Sequence, residues 1–239
     1  IKSWGSNLFI MPHGLEIDKE DNIWITDVGL HQVIKYDSNG NELIVLGQEN
    51  TPGKDSLHFN LPTDVAVSEN GSFYVSDGYG NSRIIKFSSE GEYLLEWGVF
   101  GENKNEFNIP HGLDLDKNGN VYVADRENNK IQKFDSLGNF ITEWKNEMIG
   151  QLYSVNVNNY ENYLFGIDYI VSKNSAPLGS DIIKFDLDLN FKSKFGRSGN
   201  YKGPKARYHD IQVDNEGNIY VGDILNNTIQ KFKPIKTLD

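Results

Sequence analysis

Apolar and polar residues alternate in short runs along the 239-residue chain, and no stretch sustains the 3.6-residue period of an amphipathic helix. Each of five runs places two apolar residues two positions apart, as on one face of a β-strand: Leu15 and Ile17, Val65 and Val67, Leu113 and Leu115, Val155 and Val157, and Ile211 and Val213. Turn residues such as DKNGN follow, and then further β-branched and aromatic runs. This order predicts four short strands joined by tight turns, which is an antiparallel meander.

The meander returns at regular intervals. Asp27, Asp77, Asp125 and Asp223 close its second strand, and their spacings are 50, 48 and 98 residues, the last spanning two repeats. The five repeats occupy residues 12–47, 62–98, 110–144, 153–196 and 208–239, and the fourth is degenerate and lengthened. Four-stranded sheets repeated at this period are typical of β-propeller blades. We therefore predict an all-β chain of four-stranded antiparallel blades that forms one β-propeller domain over residues 1–239.

The two ends of the sequence bear on the number of blades. The fifth repeat supplies three strands, and Lys2 to Gly5 resemble the end of a fourth strand, as around Trp97. We expect residues 1–5 to complete a blade. Two arrangements stay open, because these residues either close the fifth repeat in a five-bladed ring or belong to a further blade upstream.

Composition and charge exclude several function classes. The 23 Lys and Arg against 34 Asp and Glu give a net charge of −11, which argues against a nucleic-acid partner. The absence of cysteine excludes disulfides, thiolate metal sites and a cysteine nucleophile. The apolar runs are far shorter than the roughly 20 residues of a membrane span. The chain begins with Ile1 rather than Met, which we interpret as a processing or artificial boundary beyond which a signal peptide could have been lost.

Three of the five histidines share one repeat position, at the beginning of the first strand: His13, His111 and His209. The first strand of a blade lines the central channel, and alternate blades of a six-bladed ring are 120° apart, so these imidazoles are expected to converge on the axis. Three neutral histidines with an open position form a catalytic zinc arrangement. The sequence therefore predicts a metal site there. The other two, His31 and His58, are interpreted as loop or surface residues.

The loops that follow the second strand open on one face of the ring and differ between repeats. The recurring aspartate before each loop is interpreted as structural, its carboxylate accepting backbone N–H groups. Tyr79 and Arg126 are the candidate functional residues of these loops. A tyrosine beside a metal can act as a base, and an arginine can bind a carboxylate bidentately. The alternative is that Tyr79 only packs and that Arg126 is a solvated charge.

Several phrases together resemble a known family, among them MPHGLEID, FNLPTDVAV, YVSDGYGNSRIIKF, IPHGLDL and VADRENNKIQKF. The repeat resembles the NHL repeat. The chain as a whole, from Trp4 to Phe232, resembles the peptidyl-α-hydroxyglycine α-amidating lyase domain, also called peptidylamidoglycolate lyase.

This resemblance implies a six-bladed propeller and a set of functional residues. By similarity, His13, His111 and His209 hold an axial zinc, and Asp210 with the backbone carbonyl of Leu15 holds a structural calcium. The family reaction splits a peptidyl-α-hydroxyglycine into a peptide amide and glyoxylate. The resemblance implies that Tyr79 takes the hydroxyl proton as phenolate and that Arg126 orients or neutralises the substrate carboxylate. It also favours a secreted or extracytoplasmic location.

The sequence departs from the family pattern at three points. A second family arginine lies in an N-terminal blade that has no counterpart here, and Gly80 replaces a disulfide-forming cysteine. Arg207 and Tyr208 replace the methionine and proline before the third histidine. Arg207 could supply the missing carboxylate contact, or it could indicate a different substrate.

The leading hypothesis is a zinc-dependent lyase of this type, which we expect to be a monomer that acts on a peptide or small molecule. The first alternative is a non-catalytic NHL propeller that binds a peptide or protein on its top face. The second is another propeller enzyme, such as a lactonase, although such enzymes usually surround their metal with carboxylates and asparagine.

Overall fold

The computed structural model describes residues 3–234, which form a β-propeller of antiparallel blades in chain order. Blades 1 and 2 comprise β1 (Pro12–Ile17), β2 (Ile23–Asp27), β3 (Gln32–Tyr36), β4 (Glu42–Leu46), β5 (Asp64–Val67), β6 (Phe73–Asp77), β7 (Arg83–Phe87) and β8 (Tyr93–Trp97). A short parallel pair, β9 (Val99–Phe100) and β10 (Glu106–Phe107), separates blade 2 from blade 3. The all-β propeller predicted from the sequence is confirmed.

The remaining strands form blades 3 to 5. Blade 3 comprises β11 (Pro110–Leu115), β12 (Val121–Asp125), β13 (Lys130–Phe134) and β14 (Phe140–Lys145). Blade 4 comprises β15 (Gln151–Asn158), β16 (Tyr163–Val171), β18 (Asp181–Asp186) and β19 (Phe191–Gly196), with β17 (Pro177–Gly179) paired to β16. Blade 5 comprises β20 (Tyr208–Val213), β21 (Ile219–Asp223) and β22 (Thr228–Phe232). The extension of β16 and its pairing with β17 account for the greater length of the fourth repeat.

Local turn chemistry explains why these residues form hairpins. In blade 3 the carboxylate of Asp116 accepts the backbone N–H of Asn118 at 2.9 Å and of Asn120 at 3.0 Å, and it also accepts the Asn120 amide. The same arrangement recurs where an aspartate precedes an asparagine by four residues: Asp18 and Asn22, Asp37 and Asn41, Asp135 and Asn139, Asp186 and Asn190, and Asp214 and Asn218. Each such aspartate satisfies turn N–H groups that the strands leave unpaired.

The aspartate that closes the second strand has the structural role that the sequence indicated. Asp27 accepts backbone N–H groups from Ile10, Met11, Gly29 and Leu30 at 2.8–3.0 Å. In blade 4, Asp168 has this position and accepts the N–H groups of Gly150 and Asp181. Asp27 thus ties the loop before β1 to the loop after β2, whereas Asp168 ties the residue before β15 to the first residue of β18.

The core lies between consecutive blades. Apolar residues of β6, β7, β11, β12 and β13 form one such interface, and Trp97 at the end of β8 packs on Phe134 with the ring centroids 5.5 Å apart. Ser3–Gly5 lie outside any strand, and Trp4 packs on Tyr36 at 5.0 Å. Ile1 and Lys2 lie outside the described residues, so the expectation that residues 1–5 complete a blade stays a prediction. The part of the chain that the structure describes contains no helix with the length and apolar character of a membrane span.

Candidate metal centre

The three histidines occupy an irregularity in their strands. In β1, β11 and β20 the antiparallel register shifts at the histidine, between Pro12 and Leu15, between Pro110 and Gly112, and between Tyr208 and Asp210. A bulge of this kind redirects a side chain relative to the regular pleat. The glycine after His111 permits close approach of the next strand, because a Cβ on Gly112 would lie 2.7 Å from the Ser154 Cα. In the Pro-His-Gly sequence of β11, the glycine thus serves the packing of neighbouring strands, and the histidine supplies the side chain at the bulge.

The imidazoles of His13, His111 and His209 come together as predicted from their shared repeat position. Their ring centroids are 4.8, 4.8 and 4.9 Å apart, and one nitrogen of each lies within 4.8 Å of the others. The Tyr79 hydroxyl lies 3.1 Å from His13 Nε2 and 3.0 Å from His111 Nε2. The Nε2 atoms of His13 and His111 therefore both face the Tyr79 hydroxyl.

Backbone carbonyls orient two of the rings. His13 Nδ1 lies 2.6 Å from the Thr63 carbonyl, and His111 Nδ1 lies 2.7 Å from the Tyr153 carbonyl. Because a carbonyl only accepts, each Nδ1 carries the proton and each Nε2 presents a lone pair. Metal-ligating histidines commonly donate their other ring N–H to such a carbonyl, which fixes the orientation of the ring.

Burial determines the charge state of these rings. It lowers the pKa of His13 and of His111, and it lowers the pKa of His209 to about 3. Mutual repulsion adds to the effect at His111 and His209. The imidazoles are therefore neutral at neutral pH, as metal ligation requires. Three neutral nitrogen donors, with His111 buried and His13 and His209 partly buried, fit zinc.

Tyr79 and Arg126 flank the histidines. Arg126 lies in a short 3₁₀ turn, Arg126–Asn128, directly after β12, and its Nη1 is 3.4 Å from the Tyr79 hydroxyl. Burial raises the pKa of Tyr79, whereas the positive charge of Arg126 and its hydrogen bond lower it. Arg126 also forms an ion pair with Glu127 at 2.9 Å. The predicted base and the predicted carboxylate-binding residue are thus in contact with each other and with the histidine cluster.

Arg207 reaches the same site through Tyr153. Its Nη2 donates to the Tyr153 hydroxyl at 2.6 Å, and its guanidinium lies 4.9 Å from the Tyr169 ring centroid. The Tyr153 ring is 4.9 Å from the His111 ring and 5.2 Å from the His209 ring. Tyr153 therefore connects Arg207 to the histidines.

Comparison with known proteins identifies the repeat and similar chains. Residues 59–87 and 107–134 match the NHL repeat family. The chain is 38% identical over 257 residues to peptidyl-glycine alpha-amidating monooxygenase A of Xenopus laevis, covering 99% of this chain and 26% of that protein. It is 39% identical over 254 residues to peptidyl-alpha-hydroxyglycine alpha-amidating lyase 1 of Drosophila melanogaster, covering 96% of this chain and 46% of that protein. The chain is an NHL-repeat β-propeller that resembles the peptidyl-α-hydroxyglycine α-amidating lyases.

The lyase-like propeller spans about a quarter of the length of the Xenopus protein and less than half of the Drosophila lyase. Among solved structures, a gluconolactonase from Xanthomonas campestris superposes with a TM-score of 0.66 at 12% identity, covering 94% of this chain and 73% of that chain. At that identity the likeness shows the fold alone.

The predicted calcium ligands line a polar cavity next to the histidine layer. Leu15 and Asp210 both border it. The Asp210 carboxylate accepts hydrogen bonds from the Ser154 hydroxyl at 2.9 Å and from the Ile211 N–H at 2.8 Å. A carboxylate with backbone and hydroxyl oxygens around it fits a hard cation such as calcium.

Three acidic residues of this cavity escaped the sequence analysis: Glu16, Asp64 and Asp114. Loss of hydration and repulsion from neighbouring carboxylates raise the pKa of Glu16 to about 9. The pKa of Asp114 is raised to about 7, mainly by loss of hydration. The signal that could have found them is their place in the first strands, one or three positions after the histidine position of each repeat. Tyr153 and Tyr169 were also missed as parts of the site.

Proposed function

We propose that the chain is a zinc-dependent lyase domain that cleaves a peptidyl-α-hydroxyglycine into a peptide amide and glyoxylate. The observation that carries the proposal is the contact of the Tyr79 hydroxyl with His13 Nε2, His111 Nε2 and the Arg126 guanidinium, at 3.1, 3.0 and 3.4 Å. The name of the Drosophila relative, a peptidyl-alpha-hydroxyglycine alpha-amidating lyase, supports the same reaction class.

The metal requirements of the proposal rest on donor chemistry. His13, His111 and His209 would hold the zinc, and Asp210 with the Leu15 carbonyl would hold a structural calcium. Zinc, when bound, supplies Lewis acidity toward an oxygen of the substrate. The chain's own residues must bind and orient the substrate and move its protons.

The reaction needs a group that both takes and returns a proton. The hydroxyl O–H bond of the substrate breaks, its electron pair forms the aldehyde C=O bond, the C–N bond breaks, and the amide nitrogen gains a proton. Tyr79 can perform both transfers, since its hydroxyl is within hydrogen-bond distance of His13 and His111. Burial raises the pKa of Tyr79, and the positive charge of Arg126, 3.4 Å from the hydroxyl, opposes this rise and so favours the phenolate that starts the reaction. Net proton balance is zero.

Arg126 is also placed to orient the substrate. Its guanidinium carbon lies 5.3 Å from the centroid of the Tyr79 ring and 5.2 Å from that of the Tyr153 ring, so both aromatic rings contact it. An arginine so fixed can pair with the α-carboxylate and bring the adjacent hydroxyl to Tyr79.

The test is glyoxylate release from acetyl-phenylalanyl-α-hydroxyglycine by zinc-loaded protein. We expect Tyr79→Phe to lower the rate by about 10²- to 10⁴-fold, the usual contribution of a general acid–base group, with the zinc content unchanged. Tyr160→Phe serves as the control, because Tyr160 is 78% exposed and lies outside the site. Full activity of Tyr79→Phe would exclude Tyr79 as the base. Peptide binding by the unaltered protein without any glyoxylate release would favour the non-catalytic alternative.

A further inference from the structure

Arg207 is a cation that has no carboxylate partner for its side chain among residues 3–234. Arg126 is paired with Glu127 at 2.9 Å, and Glu127 in turn accepts the Gln151 amide at 2.8 Å. Within residues 3–234, the Arg207 guanidinium forms no ion pair, since the Asp223 carboxylate accepts only its backbone N–H, at 3.0 Å. Of the two arginines at the candidate site, Arg207 is therefore the one whose charge is not offset by a paired carboxylate within residues 3–234.

The side chain of Arg207 is held in place with hydrogen-bonding capacity to spare. Its guanidinium lies 5.4 Å from the Tyr153 ring and 4.9 Å from the Tyr169 ring. Its Nη2 donates to the Tyr153 hydroxyl, whereas its buried Nε has no hydrogen-bond partner within the described chain. A guanidinium has five N–H donors, and a buried donor left unpaired is costly. An anionic ligand is the species that would use such donors.

The repeat position of Arg207 shows that packing does not require a cation there. It lies two residues before His209, and the other repeats have uncharged residues at this position: Met11, Leu61, Ile109 and Gln151. The backbone bond to Asp223 that places Arg207 has a counterpart at Met11, which donates to Asp27 at 3.0 Å. The fold therefore requires only the backbone hydrogen bond at this position, and the side chain can differ between repeats.

Arg207 and Arg126 approach the same aromatic ring. The Tyr153 ring lies 5.4 Å from the Arg207 guanidinium and 5.2 Å from that of Arg126, and it contacts the His111 and His209 rings. Two guanidinium groups beside one tyrosine bring positive charge to the edge of the histidine cluster. In a protein with a net charge of −11, such a local concentration of cations favours an anionic ligand.

We propose that Arg207 is a specificity-determining residue, which together with Arg126 forms a two-arginine clamp that selects peptides ending in a free α-carboxylate. This proposal deepens the proposed function and rests on it for the identity of the substrate. Because the Glu127 carboxylate already pairs with Arg126, Arg207 contributes the larger part of the preference for a peptide with a free carboxylate.

Calorimetric binding of two uncleavable peptides to the zinc-loaded protein tests the clamp. Acetyl-phenylalanyl-glycine has the free carboxylate and lacks the reactive hydroxyl, and its C-terminal amide lacks the charge. We expect the unaltered protein to prefer the acid, and Arg207→Gln to bind the acid at least about 10-fold more weakly with unchanged affinity for the amide. Arg207→Lys should recover part of the preference, since it restores the charge without the fork geometry.

Lys205→Gln is the matched control. It removes a positive charge two residues away, from a side chain that bonds the Gly199 and Tyr201 carbonyls, and should leave both affinities unchanged. Circular dichroism verifies that each variant is folded. An unaltered protein with no preference for the acid, or an Arg207→Gln variant that retains it or loses affinity for both peptides equally, would overturn the proposal.

Failure of the clamp and failure of the lyase proposal give different results. Acid-selective binding that depends on Arg207, without glyoxylate release by the unaltered protein, would refute the lyase and support the clamp. Glyoxylate release with normal selectivity in Arg207→Gln would refute the clamp alone. If both proposals hold, Arg207→Gln should raise KM for the α-hydroxyglycine peptide at least about 10-fold and change kcat much less, because the contact with the carboxylate is made equally in the ground state and the transition state.

Discussion

At the scale of single residues, odd and even repeats contribute different groups to the axis. His13 and His111 come from the first and third repeats, and their Nδ1 atoms bond the carbonyls of Thr63 and Tyr153 from the second and fourth. Thr63 and Tyr153 have the repeat position of the histidines themselves. One repeat thus supplies the nitrogen donor, and its neighbour supplies the carbonyl that orients it.

This arrangement predicts that zinc binding depends on each histidine of the cluster. Replacing His111 by alanine removes one of three nitrogen donors, so the bound zinc should fall from about one atom per chain to near zero. His58→Ala is the control, because His58 pairs with the exposed Asp55 at 2.7 Å and lies outside the cluster. Elemental analysis after dialysis measures the metal. An unchanged zinc content in His111→Ala would mean that the metal site lies elsewhere.

The histidines could be predicted from the sequence because the repeat supplies its own alignment, so that equivalent positions are visible in one chain. Tyr79 and Arg126 were found because they interrupt that alignment in loops on one face. The acidic residues Glu16, Asp64 and Asp114 were missed because they alternate with apolar residues, as polar positions of any half-buried strand do. Only closure of the strands around the axis brings them together.

At the scale of the strands, aromatic residues near the ends of outer strands pack on the following blade. Trp97 of β8 packs on Phe134 of blade 3, Trp144 of β14 on Phe185 of blade 4, and Phe195 of β19 on Phe232 of blade 5. The strands were predictable from local alternation and turn residues. The parallel pair of β9 and β10 was not, because two strands of two residues each carry no periodic signal.

Trp97 offers a test of this interblade contact. It is 8% exposed and packs on both Tyr74 and Phe134, so Trp97→Ala should lower the free energy of unfolding by about 3–5 kcal/mol. Leu94→Ala, three residues earlier on the same strand, should cost within about 0.5 kcal/mol because Leu94 is largely exposed. Urea denaturation measures both. Equal costs would show that the outer strand does not join the blades through its end.

At the scale of the whole molecule, two blade faces differ from all the others. Leu15 of β1 is 56% exposed, whereas the residues at its repeat position are buried: Val65, Leu113, Val155 and Ile211. Ile229 of β22 is 81% exposed, whereas its counterparts are also buried: Val33, Ile84, Ile131 and Ile182. Within residues 3–234, no blade covers the face of blade 1 with Leu15 or the face of blade 5 with Ile229. The same position of the repeat is therefore buried in some blades and exposed in others.

Ile182 and Ile229 make this difference measurable, because the two residues have the same side chain and the same place in the repeat. The change in intrinsic strand propensity on substitution is the same at both positions, so a difference in the free energy of unfolding reports packing. Ile182→Ala should lower the free energy of unfolding by about 2–5 kcal/mol, because it leaves a cavity between blades 4 and 5. Ile229→Ala should change it by less than about 0.5 kcal/mol in dilute solution. A comparable loss at Ile229, growing with protein concentration, would mean that a second copy of the chain covers this face, since burial by association stabilises in proportion to occupancy.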